Sequence, residues 1–253
     1  MRSLTVLQMK RLACAALVGI LTIGCEGSTP SSPSAAPSNT STPNASIAAP
    51  TSTLTSSGPR TSFGNDAYHV GSDLAPGRYY TQAATTSCYW ERVSGFGGTV
   101  GEIIANDFID FTAPQIVVDV AASDQGFTTG IECGTWSQEP KAAPAAGTVP
   151  GGWWMVNAQI QPGTYSTTAS SGCYWERLRN FGGTISGIVD NDFESGAGQL
   201  IVQIGSTDIG FHSEPECGTW RPVSGSSAPA PKAAQSRFDI EANLALHRAA
   251  TGR

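Results

Sequence analysis

The chain has 253 residues, of which 20 are acidic and 14 basic, giving a formal charge of −6; 40% are hydrophobic and six are cysteine. Such an acid excess excludes a protein that grips nucleic acid by neutralising phosphates with Lys and Arg. It also argues against anionic lipid headgroups as a docking surface.

Residues 1–24 are expected to be an export signal. Arg2, Lys10 and Arg11 form a basic start, and Leu12 to Ile23 is an apolar run too short to cross a bilayer permanently. The run ends Leu21-Thr22-Ile23-Gly24-Cys25, which resembles a bacterial lipobox, with Thr22 where an aliphatic residue is commoner. Cys25 is therefore the expected lipidation site, and a diacylated cysteine would hold the mature chain on the outer face of the cell membrane. Cleavage removes three bases and no acid, leaving 11 against 20 and a formal charge of −9. Residues 25–62 read as a disordered tether: between 27 and 60, Ser, Thr, Pro and Ala take 27 of 34 positions, too little apolar surface to offset chain entropy.

Two copies of one module follow, at 63–137 and 150–221. Residues 87–99 read SCYWERVSGFGGT and 172–184 read GCYWERLRNFGGT. Aligned on CYWER, Pro76-Gly77-Arg78-Tyr79 meets Pro162-Gly163-Thr164-Tyr165, and Asn106-Asp107-Phe108 meets Asn191-Asp192-Phe193. Asp124-Gln125-Gly126-Phe127 meets Asp208-Ile209-Gly210-Phe211, and Cys133-Gly134-Thr135-Trp136 meets Cys217-Gly218-Thr219-Trp220. Ile116, Val118 and Val120 alternate with Val117 and Asp119, the period of a strand with one wetter face. No window has a helical period, so each copy is expected to be a small all-β sandwich or barrel of five or six short strands. Apart from Cys25 and Cys14 in the signal, each copy holds two cysteines; duplication makes Cys88–Cys133 and Cys173–Cys217 the simplest of three pairings. In CYWER, Cys88 and Trp90 point to one face of a strand, Tyr89 and Glu91 to the other.

The whole unit, from Pro-Gly-x-Tyr through CYWER and Asp-x-Gly-Phe to Cys-Gly-Thr-Trp, resembles a module repeated in secreted and lipid-anchored actinobacterial proteins. That resemblance implies an all-β, extracytoplasmic module; it carries no catalytic residue over. Residues 138–149 are expected to be a Pro/Ala linker that leaves the modules semi-independent. Residues 222–253 are expected to be a disordered tail, with Ser236 and Asp239 able to cap a short helix whose apolar side would be Phe238, Ala242, Ala245 and Leu246.

A catalytic reading finds little to build on. His69, His212 and His247 share no position between the copies (His212 aligns with Thr128), and no phosphate-cradling or nucleophile-elbow motif occurs. Without a shared His, two thiols per module do not make a zinc site. Calcium at Asp107 and Asp192, or acid–base chemistry by carboxylates such as Glu91 and Glu176, competes with solvated turns that explain the same letters. No cofactor or metal is expected. The expected function is non-catalytic: paired modules gain avidity for a cell-wall glycan or surface protein, with Trp153 and Trp154 as an aromatic platform beside Asn106, Asp107, Asn191 and Asp192. The alternatives are a secreted hydrolase using paired carboxylates and a structural surface spacer.

Overall fold

In the computed structural model, residues 58–82, 87–223 and 235–252 are described; the signal, Cys25 and most of the tether lie outside them. The first module runs β1 (Ser62–Phe63), β2 (Asp66–His69), β3 (Gly77–Thr81), β4 (Cys88–Val93), β5 (Ile103–Ile109), β6 (Ile116–Val120), β7 (Gly126–Thr129) and β8 (Trp136–Ser137). Its strands form two antiparallel sheets, ordered β1-β8-β3-β6 and β2-β7-β4-β5. The second module repeats the plan with β9 (Gly152–Met155), β10 (Gly163–Ala169), β11 (Cys173–Leu178), β12 (Ile188–Glu194), β13 (Gly198–Ile204), β14 (Gly210–Ser213) and β15 (Arg221–Pro222). Its sheets are β13-β10-β15 and β12-β11-β14-β9, so each module is a sandwich rather than a closed barrel.

Each sandwich closes on the tryptophan of Cys-Gly-Thr-Trp. Trp136 meets Phe127 edge-to-face at 5.4 Å, and its Nε1–H donates to Thr129 Oγ1 at 2.8 Å. Trp220 does the same with Phe211 at 5.5 Å and Ser213 Oγ at 3.1 Å. The disulfides are Cys88–Cys133 and Cys173–Cys217. Each closes a loop of about 45 residues, worth roughly 4 kcal/mol in chain-entropy terms.

The rest of the repeated motif also has a packing reason. On β4, Cys88, Trp90 and Arg92 turn inward while Tyr89 and Glu91 face out. Arg92 forms a bidentate pair with Asp124 at 2.7 and 2.8 Å, and Arg177 one with Asp208 at 2.7 and 3.1 Å. The arginine of CYWER thus reaches the aspartate of Asp-x-Gly-Phe, and that aspartate also accepts the backbone N–H of Ala121 or Gly205. Asp124 and Asp208 are both buried. The phenylalanine of Phe-Gly-Gly lies on the glycine of Asp-x-Gly-Phe: a Cβ on Gly126 would meet Phe96 Cζ at 2.2 Å, and one on Gly210 would meet Phe181 Cζ at 2.3 Å.

Three expectations are corrected. First, the modules are not semi-independent; the described residues belong to one compact unit. Phe181 O accepts the Asp119 N–H and the Phe181 N–H donates to Asp119 Oδ2, both at 2.9 Å, while its ring lies under the Arg78 guanidinium, 4.7 Å from it. Tyr80 Oη donates to Met155 Sδ at 2.9 Å. The buried amides of Gln115 and Gln159 bond to each other, to Trp153 O and to the linker at Lys141 and Ala142. The linker is pinned because two buried amides need those backbone partners. The same docking dries the face of β6 expected to be wetter: Val117 is buried, while Ile201, its counterpart on β13, is exposed.

Second, the tail contains α1 (Arg237–Thr251), a 15-residue helix packed on β12 and started by a Ser236–Asp239 capping box. Its docked face is Ile240, Asn243, Leu244 and His247, an i, i+3, i+4, i+7 set. Phe238, Ala242, Ala245 and Leu246 face outward, and Phe238 is 81% exposed. Polar groups decide the side: Asn191 Nδ2 donates to Ile240 O, and Asn243 Nδ2 to Asn191 O. Third, Trp153 and Trp154 are both buried, not an open platform.

Candidate functional site

The pleat sends Trp153 and Trp154 to opposite faces of β9. Trp154 joins the core of the second module, its Nε1–H bonded to Pro150 O at 2.9 Å. Trp153 faces the first module and is stacked on Phe111, with centroids 6.0 Å apart and planes at 2°. Strand register places Trp153 opposite His212, His212 opposite Glu176, and Glu176 opposite Asn191, one row across all four strands of the sheet. The corresponding row of the first module is Ala67, Thr128, Glu91 and Asn106.

That asymmetry builds a polar cluster in the second module only. The His212 ring stacks on Trp153 at 4.0 Å, with Nδ1 3.3 Å from Glu176 Oε1 but outside hydrogen-bonding geometry. Tyr174 Oη donates to Glu176 Oε2 at 2.9 Å and accepts from Asn191 Nδ2 at 3.1 Å. His247, brought in by α1, stacks on Tyr174 at 4.3 Å and places Nε2 2.8 Å from Glu214 Oε1. Burial drives the Tyr174 phenol well above its ordinary pKa, and the Glu176 carboxylate adds to the shift. Tyr89, its counterpart, is pushed up to about 12 by burial and by its bond to Glu91.

This cluster borders a cavity of about 450 Å³ between the modules. Trp90, Asn106, Asp107 and Phe108 line it from the first module; Trp153, Glu176, Phe181, His212 and Glu214 line it from the second, with His247 of α1. Three of these side chains are more than nine-tenths buried yet carry nitrogens without a hydrogen bond: Trp90 Nε1 (residue 3% exposed), both ring nitrogens of His212 (5%) and His247 Nδ1 (7%). Buried polar atoms are nearly always satisfied, so four unpaired nitrogens on three side chains that line one cavity single it out among the described residues.

Of the six residues singled out as ligand contacts, Trp153, Asn106 and Asp107 come together on this cavity. Trp154 is core, and Asn191 is enclosed under α1. Asp192 does not line the cavity; it accepts the Phe193 N–H at 3.1 Å, as Asp107 accepts that of Phe108 at 2.8 Å. Among the described residues no three His, Cys, Asp or Glu side chains are grouped to hold a metal ion. The residues missed in the sequence were His212, Glu214, Tyr174 and His247. For His212 and Glu214 the signal was the absence of a like residue in the first copy, the property that counted against the histidine; Tyr174 is matched by Tyr89, and His247 lies outside both copies.

Fold and site together define a duplicated, disulfide-bonded β-sandwich protein with a cavity where its two modules meet. The chain belongs to the Rv1352-like extracellular domain family, whose model matches it twice, over residues 60–137 and 144–221. The family places the modules outside the cytoplasm. Neither a curated protein nor a solved structure shows a significant match to the chain. Among the described residues no helix is long and apolar enough to cross a membrane.

Proposed function

We propose that this is a non-catalytic, lipid-anchored protein of the cell envelope that binds a hydroxyl-rich ligand, a short surface glycan, in the cavity between its modules. The observation that carries the reading is the set of orphaned nitrogens on Trp90, His212 and His247 around one aromatic-walled space. Sugar hydroxyls both donate and accept, so they can meet indole N–H, imidazole and the Glu176 and Glu214 carboxylates together. Trp153, stacked on Phe111 and His212, contributes apolar wall to the cavity rather than an open stacking face. A volume of about 450 Å³ fits a small saccharide and not a protein loop of any length.

Titration of the full mature chain with envelope-derived oligosaccharides should change its tryptophan fluorescence, and Trp153→Ala should abolish that change. A glycan array and titration series showing no saccharide response would end the reading. Anchoring at Cys25 is tested separately: a Cys25→Ala chain should be released from membranes into the medium. One observation favours a hydrolase as the second reading, namely that Glu176 and Glu214 each lie beside a histidine in a single cavity. Glycan turnover lost in Glu176→Gln would establish it in place of simple binding.

A further inference from the structure

Next to the cavity runs a groove of about 830 Å³ with a different chemistry. Its walls are aliphatic: Val100, Ile103 and Ile104 on the first module face Ile185, Ile188 and Val189 on the second. Val100 and Ile104 are exposed there, in a chain whose other aliphatic side chains on these strands are mostly covered. Its only charged lining residues are Arg179, Arg237 and Arg248; no Asp or Glu lines it among the described residues.

That concentration is unusual for an acidic protein. The described residues hold nine Lys and Arg, and Arg78, Arg92 and Arg177 are each spent on a carboxylate of their own sandwich. Half of the remaining six converge on this groove. Arg237 also pairs with Glu241 at 2.7 Å, on a carboxylate that does not line the groove, and Arg179 donates to Ile188 O at 3.2 Å. Arg248 borders both the groove and the neighbouring cavity, and among the described residues no hydrogen bond or ion pair engages its side chain.

We infer that the groove is a binding site for a single-chain anionic amphiphile, with a phosphate or carboxylate head on the arginines and an alkyl chain along the Ile/Val walls. Guanidinium groups suit oxyanions because they offer several N–H donors in a planar fork and stay charged at any physiological pH. The aliphatic walls give an alkyl chain apolar surface to bury, and neither feature alone would need the other. The site stands apart from the glycan reading, although the two spaces share Asn106, Ile188, Arg248 and the Gly183–Ile185 turn.

The test uses the full mature chain as Cys25→Ser, so that its own acyl groups are absent. Calorimetric titrations are run with dodecyl phosphate below its micellar concentration, with uncharged dodecyl maltoside, and with inorganic phosphate. Dodecyl phosphate should bind one per chain, and the other two at least about tenfold more weakly. Arg248→Gln and Ile104→Gln should each weaken dodecyl phosphate about tenfold with an unchanged melting temperature. Arg179→Gln is the substitute should Arg248→Gln fail to fold. Equal affinity for the maltoside would overturn the inference, as would binding indifferent to both arginine variants. So would association with phosphatidylglycerol vesicles without uptake of monomeric dodecyl phosphate, which would mean adsorption to a membrane. Loss of the saccharide response with dodecyl phosphate binding intact would sink only the glycan reading; the reverse pattern would sink only this one.

Discussion

Gly126 and Gly210 hold the same place in two copies of one motif, yet a methyl group added to each should act very differently. Both are covered by a phenylalanine that leaves no room for a Cβ. Phe96 over Gly126 is 46% exposed and can swing into solvent, whereas Phe181 over Gly210 is 2% exposed, held between Arg78, Asp119 and the first module. Gly126→Ala should therefore cost under about 1 kcal/mol and Gly210→Ala about 3 kcal/mol, because only the second forces overpacking at a closed site. Urea unfolding of the two variants measures the difference, and equal losses would show that Phe181 is not locked. The tyrosines give a second expectation at this scale. Burial raises Tyr79, Tyr80, Tyr165 and Tyr174, and Tyr89 to about 12, above the unfolded value near 10. The folded chain then keeps phenolic protons that the unfolded chain has released. Stability should be full below about pH 10 and fall as pH rises toward about 12. Absorbance at 295 nm should show tyrosinate appearing later in the native chain than in urea.

At the scale of elements, α1 marks how far the sequence could be read. The strands were legible because alternation, Pro-Gly turns and the duplicated cysteines all act within a few residues or within one copy. The capping box of α1 was legible for the same reason. Its docked face was not, because counting apolar residues selects Phe238 and Leu246, while the real contacts are Asn243 and His247 with Asn191, Tyr174 and Glu214. Gln235 adds to this by bonding both N–H and C=O of Asn191 on the open edge of β12. The candidate site was half legible on the same grounds: Trp153, Asn106 and Asp107 carried visible chemistry, whereas His212 gains meaning only when a second module and a helix close over it. Ile240→Asp should undock α1, since it places a carboxylate in a buried apolar seat. Hydrogen exchange at the β12 amides should then accelerate at least about tenfold while that at β5, the uncovered equivalent edge, stays as it was. Unchanged exchange at β12 would mean that the helix does not protect that edge.

For the whole molecule, the question is whether duplication has produced two units or one. Each sandwich has its own disulfide and aromatic centre, which would let it unfold alone. Against that stand the Phe181–Asp119 clasp, the Gln115–Gln159 amide pair and a hydrophobic cluster that runs from Trp136 through Val117 to Trp153 and Phe181. Separating the modules would expose those apolar faces to water and break the hydrogen bonds between the two buried amides, a loss larger than the few kcal/mol that hold a domain this small together. Calorimetry of the mature chain should accordingly give one transition with equal calorimetric and van't Hoff enthalpies. Removing the second module's bridge as Cys173→Ala/Cys217→Ala should lower that single transition by about 4 kcal/mol of stability, not detach a second peak. Two separable peaks in either chain would mean that the cavity lies between bodies able to part. Its orphaned nitrogens would then belong to a hinge instead of a fixed binding site.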